Sequence, residues 1–435
     1  MLHNAGGVSS IKTLQFPRRN FARFSFALFL AVLLAQSAQA QRALTWQEIR
    51  DKFEAGNPSL QAGQIGVDES RAAEITAYLR PNPSLALLAD QIDPFNGGPP
   101  HSTFGYLLNS ATVDYLHERQ HKRELRRDSA QDATKIAVSS QADLERNLLF
   151  NLRSAFVQAL QGKAVLELAK ENLVYYDHVI NINRERYKAG DIAQVDQDRL
   201  ELQRVQYESD LQTAEVNLRT AKIQLLALLN DRTPVEQFDI TGPFDFSGQI
   251  APLDDVRQAA LDGRPDLKAA VQSIDKAKTD HRLAVANGST DPTFGFDVGR
   301  NPPIDQYIGF SVSIPLRIFD RNQGEKLRTQ LDIDRNEKLM QAARAQVFSD
   351  VDSAYATVTS AVILLQPYKD RYLKQAERVR ETISFSYQHG AASLLDFLGA
   401  QADYRSVQLN YLNLVGSYLE AANQLNLAAG REVIQ

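Results

Sequence analysis

Arg186-Tyr187-Lys188-Ala189-Gly190, with Asp196 beyond it, comes back 200 residues later as Ser386-Tyr387-Gln388-His389-Gly390 with Asp396. Each copy is a helical run that stops at a glycine and is followed by another helical run. A glycine there reverses the chain, because it takes the left-handed conformation without steric cost. Working outward, Pro58-Ser59-Leu60 returns as Pro265-Asp266-Leu267, and Pro83 is answered by Pro292. Glu118-Arg119 with Leu125-Arg126 returns as Asp320-Arg321 with Leu327-Arg328. Matches in one order, at offsets between 200 and 209, mark an internal duplication. The halves are 41–230 and 252–435, joined by a Pro/Gly/Asp-rich linker at 231–251 that holds Gly242-Pro243 and Gly248.

The runs around each glycine carry apolar residues at alternating spacings of three and four, the coiled-coil period. After the first turn the seam reads Leu200, Tyr207, Leu211, Ala214, Leu218, Ala221, Leu225, interrupted by Arg204. After the second it reads Ala400, Tyr404, Val407, Tyr411, Leu414, Tyr418, Ala421, Leu425. Alanine at many of these positions lets helices approach closely. A first long helix predicted at 118–187 would reach about 105 Å, and its partner at 192–230 about 60 Å. A shorter helix at 58–79, about 33 Å long, would nearly make up the difference if stacked on that partner. Its repeat lies at 265–286. Pro367 should kink the second long helix.

Between the short and long helices of each half lie two runs with a period of two. Phe294, Phe296 and Val298 share a face opposite Gly295, Asp297 and Gly299. Ile308, Phe310, Val312 and Ile314 share a face opposite Gly309, Ser311 and Ser313. The first half has Leu85, Leu87, Ala89 and then Phe104, Tyr106, Leu108. Strands are predicted at about 84–90, 103–115, 293–299 and 306–315, with surface loops at 92–102 and 300–305. Apolar residues on one side and small or polar ones on the other fit a transmembrane barrel. An amphipathic hairpin on a soluble core would alternate in the same way. Four strands do not close a barrel, which needs about eight, and open edges are not tolerated in lipid. The strands must therefore combine across chains, and either two or three copies would suffice.

The first 40 residues are of another kind. Lys12, Arg18, Arg19 and Arg23 precede an apolar run at 24–35 and then Ala38-Gln39-Ala40. This is the pattern of a secretory signal peptide with an A-x-A cleavage site. Its loss would remove four positive charges and take the formal net charge from −5 to −9. The chain has no cysteine, so disulfides are excluded and packing and association must supply stability. No later run reaches 18 apolar residues, so any membrane crossing uses strands. The acidic balance gives no reason to expect nucleic acid as a partner.

This order of elements resembles the outer-membrane factor (TolC) family over the whole mature chain. The run Ile314-Pro315-Leu316-Arg317-Ile318-Phe319-Asp320-Arg321-Asn322-Gln323-Gly324 is similar to the segment leaving the fourth strand in its heavy-metal (cobalt-zinc-cadmium type) efflux members. The resemblance implies a mainly α fold with a small β part. A long antiparallel α-helical coiled-coil barrel would stand in the periplasm, with four strands per protomer in a homotrimeric twelve-stranded barrel in outer-membrane lipid. It also implies an efflux channel, not an enzyme, docked to a periplasmic adaptor (membrane fusion) protein and an inner-membrane pump. Heavy-metal cations are the cargo it points to, and no cofactor is expected. The family's lipid-anchoring cysteine is lacking here. A periplasmic coiled-coil scaffold or adaptor without a barrel is the competing expectation.

The two turns are the expected adaptor-contact surface, with Arg186, Tyr187, Gly190, Asp191, Tyr387, His389 and Gly390 as its residues. Asp196 and Asp396 are expected about two turns into the return helices. There they would either favour the helix N-terminus or form acidic rings that gate or select charge. His117-Glu118-Arg119-Gln120-His121 matches the H-E-x-x-H zinc motif. A charge run, Lys122-Arg123-Glu124-Leu125-Arg126-Arg127, stands after it where an apolar helix would be needed, and its repeat lacks the histidines. Neither proteolysis nor a resident metal is expected.

Overall fold

The computed structural model describes residues 43–90, 108–301 and 304–434. The predicted leader at 1–40, the loop at 92–102 and the first part of the strand predicted at 103–115 lie outside them. The first half runs α1 (Trp46–Gly56), α2 (Pro58–Ala77), β1 (Ser84–Asp90), β2 (Leu108–Leu116), α3 (Lys122–Ala189) and α4 (Gln194–Leu228). The second runs α5 (Leu253–Gly263), α6 (Pro265–Asn287), β3 (Thr293–Asn301), β4 (Ile304–Ser313), α7 (Gln323–Pro367), α8 (Leu373–Gln388) and α9 (Leu394–Ala429). The two halves match element for element, save that α7 and α8 together answer α3. At 68 residues α3 is about 100 Å long.

Several boundaries differ from expectation for local reasons. α3 begins at Lys122 and not at 118, because Gln120 and His121 take left-handed φ values of 59° and 55°. The loop expected at 300–305 is largely strand, since β3 runs to Asn301 and β4 starts at Ile304. β4 ends at Ser313, two residues before Pro315, which has no amide to continue a ladder. At Pro367 the helix does change, into a π turn over Tyr368–Tyr372 before α8 resumes. The helices α1 and α5 add to the predicted set. α1 opens with a capping box, in which Thr45 accepts from the Glu48 amide at 3.4 Å and the Thr45 amide donates to Glu48 Oε2 at 2.8 Å.

The seams pack as their period requires. Leu200, Tyr207, Ala214, Ala221 and Leu225 of α4 are buried, as are Leu152, Ala155, Ala159, Tyr176 and Ile180 of α3. Gly162 of α3 lies so close to α4 that an added Cβ would meet the Leu218 backbone at 3.2 Å. α2 and α4 both pack on α3, so one long helix stands beside two shorter ones, as the lengths suggested. Ile49 and Phe53 of α1 join Leu152, Phe156, Leu225 and Ile240 in one apolar cluster. Val256, Val351, Val358, Leu365, Tyr418 and Leu425 form its counterpart in the second half. Each fully buried side chain of this size contributes roughly 1.5–3 kcal/mol. The linker straps the two clusters together through Phe244, which packs against both. Lys163 grips the strap at Asp239 Oδ2 (2.8 Å) and the Ile240 carbonyl (2.9 Å), and Lys369 of the π turn donates to the Phe246 carbonyl (3.2 Å).

Candidate functional site

The four strands form one antiparallel sheet in the order β1-β2-β3-β4. Residues opposite one another across a ladder share a face, so the register sorts the side chains. One face carries the rows Leu85–Val113–Phe296–Phe310 and Leu87–Ala111–Val298–Ile308. These rows are bare at their ends: Leu87 is 76% and Phe310 83% exposed, with the Phe296 and Phe310 rings 5.2 Å apart. The other face carries Ser110, Thr112 and Asp114, then Gly295, Asp297 and Gly299, then Gly309 and Ser311. Among the described residues of one chain, nothing pairs with the outer edges of β1 and β4.

The glycines of the polar face have a steric reason. A Cβ on Gly309 would meet Asp297 Oδ1 at 2.4 Å, and one on Gly295 would meet Asp114 Oδ1 at 2.6 Å. Glycine thus leaves room for each carboxylate to lie over the neighbouring strand. Gly299 is tighter, because its Cβ would meet the Asn109 carbonyl, which is backbone, at 2.5 Å. Asp114 is not among the residues singled out from the sequence, although its parity between Val113 and Tyr115 marks it.

At the far end the two hairpin turns are built alike. Gly190 (φ 83°) donates to the Tyr187 carbonyl at 3.0 Å, and Asp191 donates to that of Arg186 at 2.9 Å. Gly390 (φ 75°) donates to the Tyr387 carbonyl at 3.1 Å, and Ala391 to that of Ser386 at 2.8 Å. Both are Schellman closures. Tyr187, Gly190, Asp191, His389 and Gly390 are exposed around them, and Arg186 is half-buried. Tyr387 is not the exposed residue expected. It is 7% exposed and stacks on Phe397 with centroids 5.0 Å apart. Its hydroxyl donates to Asn183 Oδ1 at 2.9 Å, and the Arg186 guanidinium lies 5.3 Å over its ring. The burial pushes the Tyr387 phenol pKa up, with Arg186 opposing. These contacts tie one hairpin to the other. The buried Asn183, which the sequence does not single out, is the receiving group.

Asp196 and Asp396 stand in the first turns of α4 and α9, not two turns in. Asp396 closes a capping box with Ser393, accepting from its amide at 3.1 Å and its hydroxyl at 2.7 Å. Those bonds hold its carboxyl below the usual carboxylate range. Asp396 is therefore a helix cap. Asp196 faces no such partner in its N-cap residue Ala193 and sits half-buried near Tyr387. The H-E-x-x-H segment is not helical. His117 continues the edge of β2, donating to the Pro292 carbonyl at 2.9 Å, while His121 is the left-handed cap of α3. Its two imidazoles do not share a helix face.

A family model described as outer membrane efflux protein matches residues 256–431. The cobalt-zinc-cadmium resistance protein CzcC of Cupriavidus metallidurans is 22% identical over 395 residues, covering 90% of this chain and 91% of that protein. The pyoverdine export outer membrane protein OpmQ of Pseudomonas aeruginosa is 24% identical over 78% of this chain and 71% of its own length. Among solved structures, the open-state outer membrane channel MtrE of Neisseria gonorrhoeae superposes with a TM-score of 0.73 at 17% identity, over 89% of each chain.

Proposed function

We propose that the chain is a member of the outer membrane efflux protein family, whose model matches residues 256–431, and that it is the outer-membrane duct of a tripartite exporter. In this reading three copies join their sheets into a twelve-stranded barrel, and the paired hairpins form a periplasmic tunnel. The tunnel docks to an adaptor protein and an inner-membrane pump. The matched family is one of outer membrane efflux proteins, and this reading makes the chain such a channel and not an enzyme.

One observation carries the reading: a sheet with a bare apolar face, an opposite face mostly of small residues with Asp114 and Asp297 beside Leu88 and Tyr307, and, among the described residues of one chain, two unpaired edges. An exposed apolar surface of this extent marks a membrane or an interaction site. Unpaired edges are compatible with lipid only if other copies close them. A periplasmic scaffold would have no use for Leu87 and Phe310 facing outward.

The proposed cargo is divalent metal cations. The likeness to a cobalt-zinc-cadmium resistance protein supports this, as do Asp114 and Asp297 on the face that would line the lumen. Among the described residues no group of His, Cys, Asp and Glu is arranged to hold a metal ion. A duct needs none, because choice of cargo can reside in the pump. At the tips, Arg186, Tyr187, Gly190, Asp191, His389 and Gly390 are the proposed adaptor contacts. Tyr387 is proposed as an internal latch, and Asp196 as the acid of a gating ring.

The test is membrane fractionation followed by gel electrophoresis with and without heating. The expected result is a heat-labile trimer in the outer-membrane fraction. A soluble monomer would sink the channel and favour the scaffold.

A further inference from the structure

On the β1–β2 side the apolar face ends at an arginine-lined cleft, whereas beyond β4 Ile314, Leu316, Ile318 and Phe319 stay exposed. Along β2 the outward positions run Val113, Tyr115 and then His117, whose ring packs edge-on against Phe294 at 6.4 Å. Directly below is a cleft of about 440 Å³ whose walls include Arg80, Tyr115, His117, Arg119, His121 and Arg123. It lies between the link from α2 to β1 and the link from β2 to α3, where the sheet meets the helices.

The acids in this cleft are spoken for. Glu118 receives both Arg126 nitrogens, at 2.5 and 2.8 Å, and Glu124 takes Arg123 at 3.1 Å. Arg80 and Arg119 are exposed and carry no side-chain ion pair among the described residues. Arg123 Nε is buried without a hydrogen-bond partner. Arg123 and Arg127 are held as plates against the Tyr78 ring, 4.3 and 4.9 Å from its centroid. Lys122, Arg123, Arg126 and Arg127 also crowd the first turns of α3, where the helix dipole disfavours cations. Each of the four already has an acid, Lys122 with Asp291, Arg123 with Glu124, Arg126 with Glu118 and Arg127 with Asp128, so Arg80 and Arg119 are the cations left to meet an outside anion.

We propose that this cleft binds the headgroup phosphate of an anionic phospholipid in the periplasmic leaflet, with Arg80 and Arg119 as its principal ligands. The proposal rests on the outer-membrane reading. Charge and height select the occupant. The cleft opens at the last aromatics of the lipid-facing rows, and tyrosine marks the membrane–water interface. Guanidinium groups match phosphate oxygens in a two-pronged geometry. Three copies would set such clefts around the foot of the barrel and fix its depth in the bilayer.

The test uses the full chain purified as its native oligomer and reconstituted in phosphatidylcholine with a trace of spin-labelled phosphatidylglycerol or spin-labelled phosphatidylcholine. The motionally restricted fraction of each label gives the relative affinity of the protein surface for the two headgroups. The wild type should prefer the anionic lipid. Arg80→Glu/Arg119→Glu should lower that preference about tenfold, to parity or below. Lys374→Glu, on the distant α8, should leave it unchanged. Equal restriction of both labels by the wild type, or a preference surviving the double reversal, overturns the proposal. So does loss of the heat-labile oligomer in the double variant with no prior anionic preference, because the arginines would then serve a neighbouring copy. A chain that never reaches the membrane defeats the channel reading instead, and fractionation shows this before any lipid is added.

Discussion

The hydroxyl of Tyr387, in the second hairpin, donates to the buried side-chain oxygen of Asn183, in the first, at 2.9 Å. Tyr387→Phe keeps the ring on Phe397 but leaves the Asn183 oxygen without that donor. The loss should be about 1 kcal/mol, or roughly a fivefold shift towards separated hairpins. In planar bilayers the variant should open more often or conduct more. Conductance identical to wild type would remove Tyr387 from any gate.

The glycines of the sheet should differ in tolerance. Gly299→Ala drives a methyl into the Asn109 carbonyl at 2.5 Å, and a strand backbone does not yield. Gly295→Ala meets mainly Ser311 and Asp114 side chains, which can rotate. Oligomer melting on unheated gels should fall by several degrees for Gly299→Ala and much less for Gly295→Ala. Equal melting would show that the ladder is looser than its register implies.

If Asp114 and Asp297 line the lumen, their charge biases the ions that pass. Asp114→Asn/Asp297→Asn should reduce the cation-over-anion permeability ratio severalfold, read as a shift of reversal potential in a salt gradient. A shift of zero would place both side chains away from the conducting path.

Lys52 donates to Asp231, and Thr233 adds its hydroxyl and its amide. These bonds, the lysine first, lower the Asp231 carboxyl to about 2. A depressed carboxyl stabilises the fold above its unfolded value near 4, and that contribution fades as pH falls towards 2. Asp231→Asn should therefore cost about 1 kcal/mol at neutral pH and almost nothing at about pH 2. Urea melts of both proteins at the two pH values check this; a gap that persists in acid would assign the loss to packing.

Most of the architecture is legible in the sequence because it repeats. The period of Leu200 to Leu225, the paired glycines and the alternation of Phe294 to Val298 each state one local rule, and the second half states each again. The hidden part depends on distance along the chain. Nothing near Tyr387 reveals that Asn183, 204 residues away, will bury it. α1 is too short to show a period, though Thr45 and Glu48 spell its cap. The start of α3 is obscured because Gln120 and His121 take a left-handed conformation uncommon outside glycine. The role of Lys122 is hidden for a similar reason. It looks like one more cation in a solvated run, yet it is 3% exposed and binds Asp291 and the Ser289 carbonyl across the repeat boundary.

The unpaired edges of β1 and β4 also bear on inheritance. In the proposed trimer, a ring closed by three identical seams needs every edge of every copy, so one chain with a spoiled β4 would disable two sound companions. In a cell making intact and edge-defective chains together, working ducts would fall as the cube of the intact share. A lesion in a strand edge would then act dominantly, whereas a lesion that stops the chain from being made at all would be recessive.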